Sequence, residues 1–278
     1  MKKTFLIIIL LTTAAITKAQ DTMYVHQSGA VIYKRAITAV DSITFYQAGS
    51  GSFTCGGTLT DTRDGKTYST ILIGSQCWMA QNLNIGSKIA GANEQANNST
   101  IEKYCYNDLE TNCNVYGGLY QWAETVQYLN GATNTTSWSP VPTGNVQGIC
   151  PSGWHIPTDA EWCTMENTVE AGTDASCNTT GWRGTATGGK LKEAGSIHWT
   201  ATNECGGTCN TSGFTALPGG CRFTDGSFNN ISYNGSWWTA TEYDATTAWY
   251  RILDYSTATV YRYGNVKANG FSVRCLKD

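Results

Sequence analysis

The sequence is poor in charge, in proline and in histidine. Charged residues make up 14% of the 278 positions, and the chain contains 5 prolines and 3 histidines. An average soluble domain has roughly 25% charged residues. The net charge is −3, and no run of Lys or Arg follows the extreme N-terminus. The basic surface that a nucleic-acid-binding protein needs is therefore missing, and we expect no nucleic-acid partner.

The motifs of several large enzyme classes are also missing. No Gly-x-Ser-x-Gly elbow, His-Glu-x-x-His helix or phosphate-binding loop occurs. His26 precedes the main part of the chain, and His155 lies in a Trp-His-Ile-Pro block where a packed structural role is the better interpretation. We therefore expect no enzymatic activity, no catalytic residue and no cofactor. A carbohydrate-active enzyme remains a weaker alternative, because paired carboxylates cannot be recognised without distances.

The first residues have the order of a secretory signal peptide. Lys2 and Lys3 precede the apolar run 5–11, and small residues lead to Ala19. The run is too short to span a bilayer, and no later stretch is long enough. We expect cleavage after Ala19, no transmembrane segment in the mature chain, and a secreted, cell-surface or periplasmic location.

Cysteine is abundant, with 11 residues. In an exported chain this density indicates disulfides rather than zinc, and an odd number leaves one thiol over. Connectivity cannot be deduced from the sequence alone. Short loops favour four pairs: Cys55–Cys77, Cys105–Cys113, Cys163–Cys177 and Cys205–Cys209. A long-range bridge would then join two of the remaining three, Cys150, Cys221 and Cys275.

Composition divides the chain after the predicted signal peptide, residues 1–19. Residues 20–46 form a short β-rich segment, and residues 47–54 form a Gly/Ser linker. All cysteines follow in residues 55–278, which we interpret as one domain. We expect the segment 20–46 to be dispensable for its folding.

Local signals predict a few elements within this domain. Thr158 and Glu161 have the spacing of a capping box at the start of a helix. Residues 118–129 predict a second, short helix, and the late runs 248–255, 259–263 and 270–276 predict strands. Asp61, Asp64 and Gly65 suit a turn better than a calcium loop.

Seven blocks of this domain, in order, resemble the Fibrobacter succinogenes major paralogous domain. The most specific block reads Gly-Ile-Cys-Pro-Ser-Gly-Trp-His-Ile-Pro-Thr-Asp-Ala-Glu-Trp and occupies residues 148–162. The others are 64–68, 74–83, 116–124, 213–220, 237–242 and 270–278. Residues 22–46 resemble a leader segment of exported Bacteroidetes proteins.

The few helix signals and the late strands predict an α+β fold with a C-terminal antiparallel sheet. The resemblance implies that this fold is similar to C-type-lectin-like and formylglycine-generating-enzyme domains, with long disulfide-tied loops and a last strand beside the first. It also implies a Cys150–Cys275 bridge, which leaves Cys221 as a buried, unpaired thiol. The calcium-binding tripeptides of lectin-like domains do not occur here, so we expect no metal in such a sugar site.

We expect ligand binding on the late strands and the loops before them, about residues 224–263. The segment 225–236 is polar and turn-rich, and the densest run of Tyr follows it. The resemblance to lectin-like domains also implies binding there. If Trp249, Arg251 and Leu253 face inward, alternation places Tyr250 outward. The same reasoning places Tyr261 and Tyr263 outward. The predicted ligand-binding residues are Tyr243, Tyr250, Tyr255, Tyr261 and Tyr263. We expect a non-enzymatic module that binds an unknown glycan or protein at the cell exterior, the alternative being a structural surface or matrix protein without a dedicated ligand.

Overall fold

A computed structural model describes the backbone of residues 22–27 and 30–36, and both backbone and side chains of residues 53–200 and 203–278. The chain divides into two compact units between Ser52 and Phe53. In the first unit, β1 (Thr22–Gln27) and β2 (Ala30–Ala36) pair as an antiparallel hairpin. The predicted signal peptide, residues 1–19, and most of the predicted linker lie outside the described residues.

The second unit is mostly β, with short helices. Its strands are β3 (Thr58–Thr60), β4 (Thr67–Ile73), β5 (Gln76–Met79), β6 (Ser87–Lys88), β7 (Glu102–Lys103), β8 (Trp154–His155), β9 (Gly181–Arg183), β10 (Gly219–Arg222), β11 (Phe228–Ile231), β12 (Asn234–Glu242), β13 (Thr247–Asp254), β14 (Val260–Val266) and β15 (Leu276–Lys277). Its helices are α1 (Glu110–Tyr116), α2 (Trp122–Thr125), α3 (Asp159–Val169) and α4 (Thr187–Leu191).

The strands form two larger sheets. One has the order β3-β4-β5-β15-β8, so the last strand lies between an early strand and β8. The other has the order β11-β10-β12-β13-β14-β9 and is antiparallel except where β10 meets β12. The central strands β12, β13 and β14 are the longest of this second sheet, which makes it the frame of the candidate site.

Helix α3 begins where the sequence predicts. The Thr158 side chain accepts a hydrogen bond from the Glu161 backbone, and the Glu161 carboxylate accepts one from Thr158 N at 2.7 Å. This reciprocal pairing satisfies two backbone donors that the first turn of a helix leaves free. The other predicted helix is wrong in extent. Within 118–129 only Trp122–Thr125 is α-helical, because Tyr128 adopts a left-handed conformation with φ 51° and the chain turns away.

Disulfides connect the second unit as predicted. The five bridges are Cys55–Cys77, Cys105–Cys113, Cys150–Cys275, Cys163–Cys177 and Cys205–Cys209. Cys150–Cys275 spans 125 residues and joins the segment before β8 to the segment before β15. Cys221 is the free cysteine and is 4% exposed. Its burial raises its pKa to about 11, so its thiol is protonated at neutral pH, as expected of an inert cysteine.

Aromatic side chains fill two adjoining cores. One contains Trp122, Trp238 and Phe271, and the other contains Trp78 and Trp162. Among the described residues, no helix is long and apolar enough to cross a membrane.

Candidate binding face

Strands β13, β14 and β9 place several aromatic residues on one face of the second sheet. Tyr250 on β13 pairs directly with Tyr263 on β14, and Tyr261 pairs with Trp182 on β9. Directly paired residues point to the same face, and so do residues two apart on one strand. The four side chains therefore share a face, although they differ greatly in exposure.

Four rings form a continuous chain that we call the aromatic row: Trp182, Tyr261, Tyr263 and Tyr243. The ring centroids are 5.0 Å apart for Trp182 and Tyr261, and 6.3 Å apart for Tyr261 and Tyr263. Tyr263 and Tyr243 are stacked at 6.0 Å, with 28° between their planes. Exposed fractions are 48% for Trp182, 44% for Tyr263 and 47% for Tyr243, whereas Tyr261 is partly buried against the core. The row thus presents three open rings around one anchored ring.

Trp182 is unusual among the tryptophans of this protein. Eight of the 10 are buried, and Trp249 is intermediate, so Trp182 is the exposed one. An exposed tryptophan leaves a large apolar area in water, which is often the mark of an interaction site. The sequence prediction missed Trp182. Its one local signal was Gly181-Trp182-Arg183, a run too short to be read as a strand without its partner β14.

Tyr243 reaches the row because its neighbour on β14 has no side chain. A Cβ atom on Gly264 would lie 2.8 Å from the Tyr243 ring. Tyr243 also meets Trp249 edge to face at 4.8 Å. The Arg262 guanidinium in turn lies 3.7 Å from the centroid of the Trp249 ring. These contacts fix the end of the row.

Two of the five predicted tyrosines are placed differently from the prediction. Tyr250 is 6% exposed and therefore does not face solvent. The alternation along β13 is correct, but a second layer covers this face: Tyr250 stacks on Phe271 at 5.2 Å and lies 6.3 Å from Trp238. Tyr255 lies outside the aromatic row. It meets Tyr233 at 5.2 Å and packs on the second core.

The opposite face of the sheet contains a buried ionic network. Arg251, predicted to point inward, contacts Glu166 at 2.5 Å and Asp159 at 2.7 Å, both on α3. Arg262 contacts Asp159 at 2.6 Å. Burial alone would raise the pKa of Asp159, but hydrogen bonds and charges from Arg262 and Arg251 outweigh it, so its pKa is lowered. The carboxylate therefore stays ionised.

A third arginine completes this network directly after Trp182 in the chain. Arg183 contacts Glu166 at 2.6 Å and Asp174 at 3.2 Å. The positive charges of the three arginines then balance the negative charges of Asp159, Glu166 and Asp174. Buried charges need such pairing. The network fastens α3 to β9, β13 and β14, and so supports the backbone that carries the aromatic row. Since its charges are paired with one another, it offers no free charge to a ligand.

The acidic turn near residue 61 is a turn rather than a cation site. Asp61 binds the Arg63 guanidinium at 2.6 Å, and Asp64 binds Lys66 at 2.9 Å. Gly65 adopts φ 75°, which the turn requires. These carboxylates are already neutralised by neighbouring cations.

Two groups of acidic and cysteine side chains have the spacing of metal ligands within the described residues: Cys105, Glu110 and Cys113, and Asp159, Cys163 and Cys177. In each group the two cysteines form a disulfide with each other. A disulfide sulfur is not the thiolate that binds metals. Neither group therefore suits a metal while the bridges are intact.

His155 is a packed side chain, as the sequence indicates. It is 2% exposed and lies between Asp278, 2.7 Å from Nδ1, and Glu161, 3.1 Å from Nε2. Burial alone would lower its pKa, but the two carboxylates outweigh burial and raise it. This arrangement ties the C-terminal residue to the start of α3.

A groove of about 400 Å³ lies between the turn after β3 and helix α1. Asn82, Asn84 and Lys66 line it. Asn82 binds Tyr116 O and Trp237 Nε1, both at 2.8 Å. Lys66 binds Asn84 O at 2.6 Å. The main polar groups that line the groove thus already form hydrogen bonds within the protein, whereas the rings of the aromatic row remain open.

Comparison with known proteins identifies one family. The model of the Fibrobacter succinogenes major domain matches residues 71–277, which confirms the resemblance seen in the sequence motifs. Comparisons with curated proteins and with solved structures find no match. The family description names no activity and no ligand.

Proposed function

Since the chain belongs to the Fibrobacter succinogenes major domain family, whose description specifies no chemistry, we propose a function from the site itself: an exported, non-enzymatic module that binds a glycan on the aromatic row. One observation carries this proposal. Trp182, Tyr243 and Tyr263 remain nearly half exposed, whereas eight of the 10 tryptophans are buried.

Aromatic rings suit a sugar because they offer a flat apolar surface to its C–H faces. Tyrosine and tryptophan also supply large contact areas with little conformational entropy to lose on binding. The row is already ordered by its own contacts at 5.0–6.3 Å. A rigid row loses less freedom on binding than separate side chains would.

The absence of charge from the row favours a neutral ligand. None of the four side chains in the row is charged, and the arginines behind the sheet are paired with carboxylates. Attraction to a charged polymer would need free charges near the surface. We therefore expect affinity to change little with salt.

The disulfides support an extracytoplasmic location. Five bridges in the second unit are characteristic of proteins that fold under oxidising conditions. The predicted signal peptide, residues 1–19, belongs to the same proposal. We also propose the lectin-like arrangement, which is supported by β15 lying between β5 and β8.

The test is a glycan array followed by calorimetry with the full chain. Trp182→Ala and Tyr263→Ala should each weaken binding about tenfold, since the loss of one aromatic contact is worth about 1.4 kcal/mol. Their melting temperatures should stay close to that of the unaltered protein. Tyr233→Ala is the matched control, because Tyr233 is 49% exposed but outside the row.

Tyr250→Ala is the second control, for stability. Tyr250 is buried, so this change should lower the free energy of unfolding by about 3–5 kcal/mol. A protein that binds no glycan, or whose binding survives both Trp182→Ala and Tyr263→Ala, would contradict the proposal. In that case the alternative of a structural surface protein without a ligand would be favoured.

A further inference from the structure

Three polar side chains meet beside the disulfide Cys105–Cys113. Lys103 Nζ lies 2.6 Å from Asn84 Oδ1 and 2.9 Å from Glu110 Oε1. Lys103 is 2% exposed and Asn84 is 7% exposed. The amine and the amide are therefore held together, away from bulk water, with a carboxylate in contact with the amine.

The rest of the structure holds the Asn84 amide in place. Asn84 Nδ2 donates a hydrogen bond to Cys113 O at 3.0 Å. Asn84 N donates to the Tyr68 hydroxyl at 3.1 Å, and Lys66 Nζ donates to Asn84 O at 2.6 Å. The side-chain carbonyl of Asn84 thus faces Lys103. Lys103 contacts Oδ1, and Oδ1 is bonded directly to Cγ, the carbon that an amine would attack.

We propose that Lys103 and Asn84 react to form an intramolecular amide bond, with Glu110 as the acid–base catalyst. Glu110 takes one proton from the Lys103 ammonium group. The free electron pair on Nζ then attacks Asn84 Cγ, and the new C–N bond forms. The Cγ–Nδ2 bond breaks, and Nδ2 leaves as ammonia after accepting a second proton from Nζ. The ammonia takes the remaining proton from Glu110.

The reaction needs no oxidant and no cofactor. Its products are a secondary amide and one ammonium ion, and Glu110 returns to its starting state. Holding the reacting groups together replaces an encounter in solution by an intramolecular step. Glu110 is half exposed, which gives the ammonium ion a route to solvent.

The bond would close a covalent loop between Asn84 and Lys103, which are 19 positions apart. The segment before α1 would then be held by two different cross-links, the amide and the disulfide Cys105–Cys113. Reducing agents break the disulfide but leave an amide intact.

The experiment measures the mass of the full chain after reduction. We expect a mass lower by one ammonia than the mass calculated for the chain without the predicted signal peptide, residues 1–19. Lys103→Met, Asn84→Leu and Glu110→Gln should each restore the mass calculated for that variant without a cross-link. Lys88→Met is the matched control, because Lys88 lies opposite Lys103 on β6 but its Nζ binds Asp108 O rather than Asn84, and it should retain the deficit.

A peptide map locates the loss. Cyclisation of an N-terminal glutamine also releases ammonia, so the deficit must be found in a peptide that joins Asn84 to Lys103. Trypsin should not cleave after Lys103 once its amine is acylated. Recovery of separate peptides with intact Asn84 and cleavage at Lys103 overturns the proposal, even if the variants do not fold.

Discussion

Replacing Glu124 by Gln should make the protein more stable at neutral and alkaline pH. Glu124 lies on α2 and is 0% exposed. Its Oε1 accepts hydrogen bonds from Glu102 N at 3.0 Å and from Gln127 Nε2 at 3.2 Å. Its Oε2 has no hydrogen-bond partner, and among the described residues no cationic side chain forms an ion pair with it. Burial raises its pKa to about 7.

The direction in which stability changes with pH follows from the number of protons that each state binds. The unfolded chain releases the Glu124 proton near pH 4.5, whereas the folded protein keeps it to about pH 7. Between these values the folded state binds more protons, so the free energy of unfolding falls as pH rises. At about 1.4 kcal/mol per pKa unit, the loss is on the order of 3 kcal/mol and is complete above pH 7. The amide introduced by Glu124→Gln is neutral and does not titrate, so the variant would not lose this stability.

Urea unfolding of both proteins from pH 4 to pH 8 measures this effect. The stabilities should differ little below pH 4.5 and diverge to about 3 kcal/mol in favour of Glu124→Gln at pH 8. The difference between the two proteins removes the contributions of other titrating groups. Glu204→Gln is the control, because Glu204 is exposed and its charge is not among those that act on Glu124, so this change should produce no such divergence. A difference that is constant with pH would refute the reasoning.

Two further results are expected. Replacing Cys150 and Cys275 together by Ala should cost up to about 4–5 kcal/mol of stability, since the bridge spans 125 residues; unchanged urea midpoints would contradict a role for this bridge. Burial alone would lower the pKa of His155, but its contacts with Glu161 and Asp278 raise it. His155 should therefore contribute stability that is fully present below its unfolded pKa of about 6.5 and is lost as pH rises through the folded pKa. NMR titration checks this, and a folded pKa below 6.5 would contradict it.

Short-range features of this protein could be predicted from the sequence. Thr158 and Glu161 are three residues apart, so the capping box is visible in the chain itself. The short disulfide loops are also local. The Cys150–Cys275 bridge was different, because spacing left three cysteines open, and the family resemblance supplied the pairing.

The ionic network shows that local sequence patterns do not predict which distant residues contact each other. Alternation on β13 correctly places Arg251 inward, but it does not reveal the partners Glu166 and Asp159, which are 85 and 92 positions away. The position of Trp182 also depends on a distant strand, since it pairs with Tyr261. A three-residue strand carries too few side chains to show a period, so Trp182 could be found only through its partner.

The error at Tyr250 and the exposure of the aromatic row have one physical cause. Alternation decides which face of a strand a residue occupies, but not whether another layer covers that face. Tyr250 is central in β13 and lies under Phe271. Strand β9 pairs with β14 only at residues 260–262, so within the described residues no strand flanks Tyr263 on that side. The end of the sheet is thus left uncovered where β9 is short, and the open rings of the aromatic row gather there.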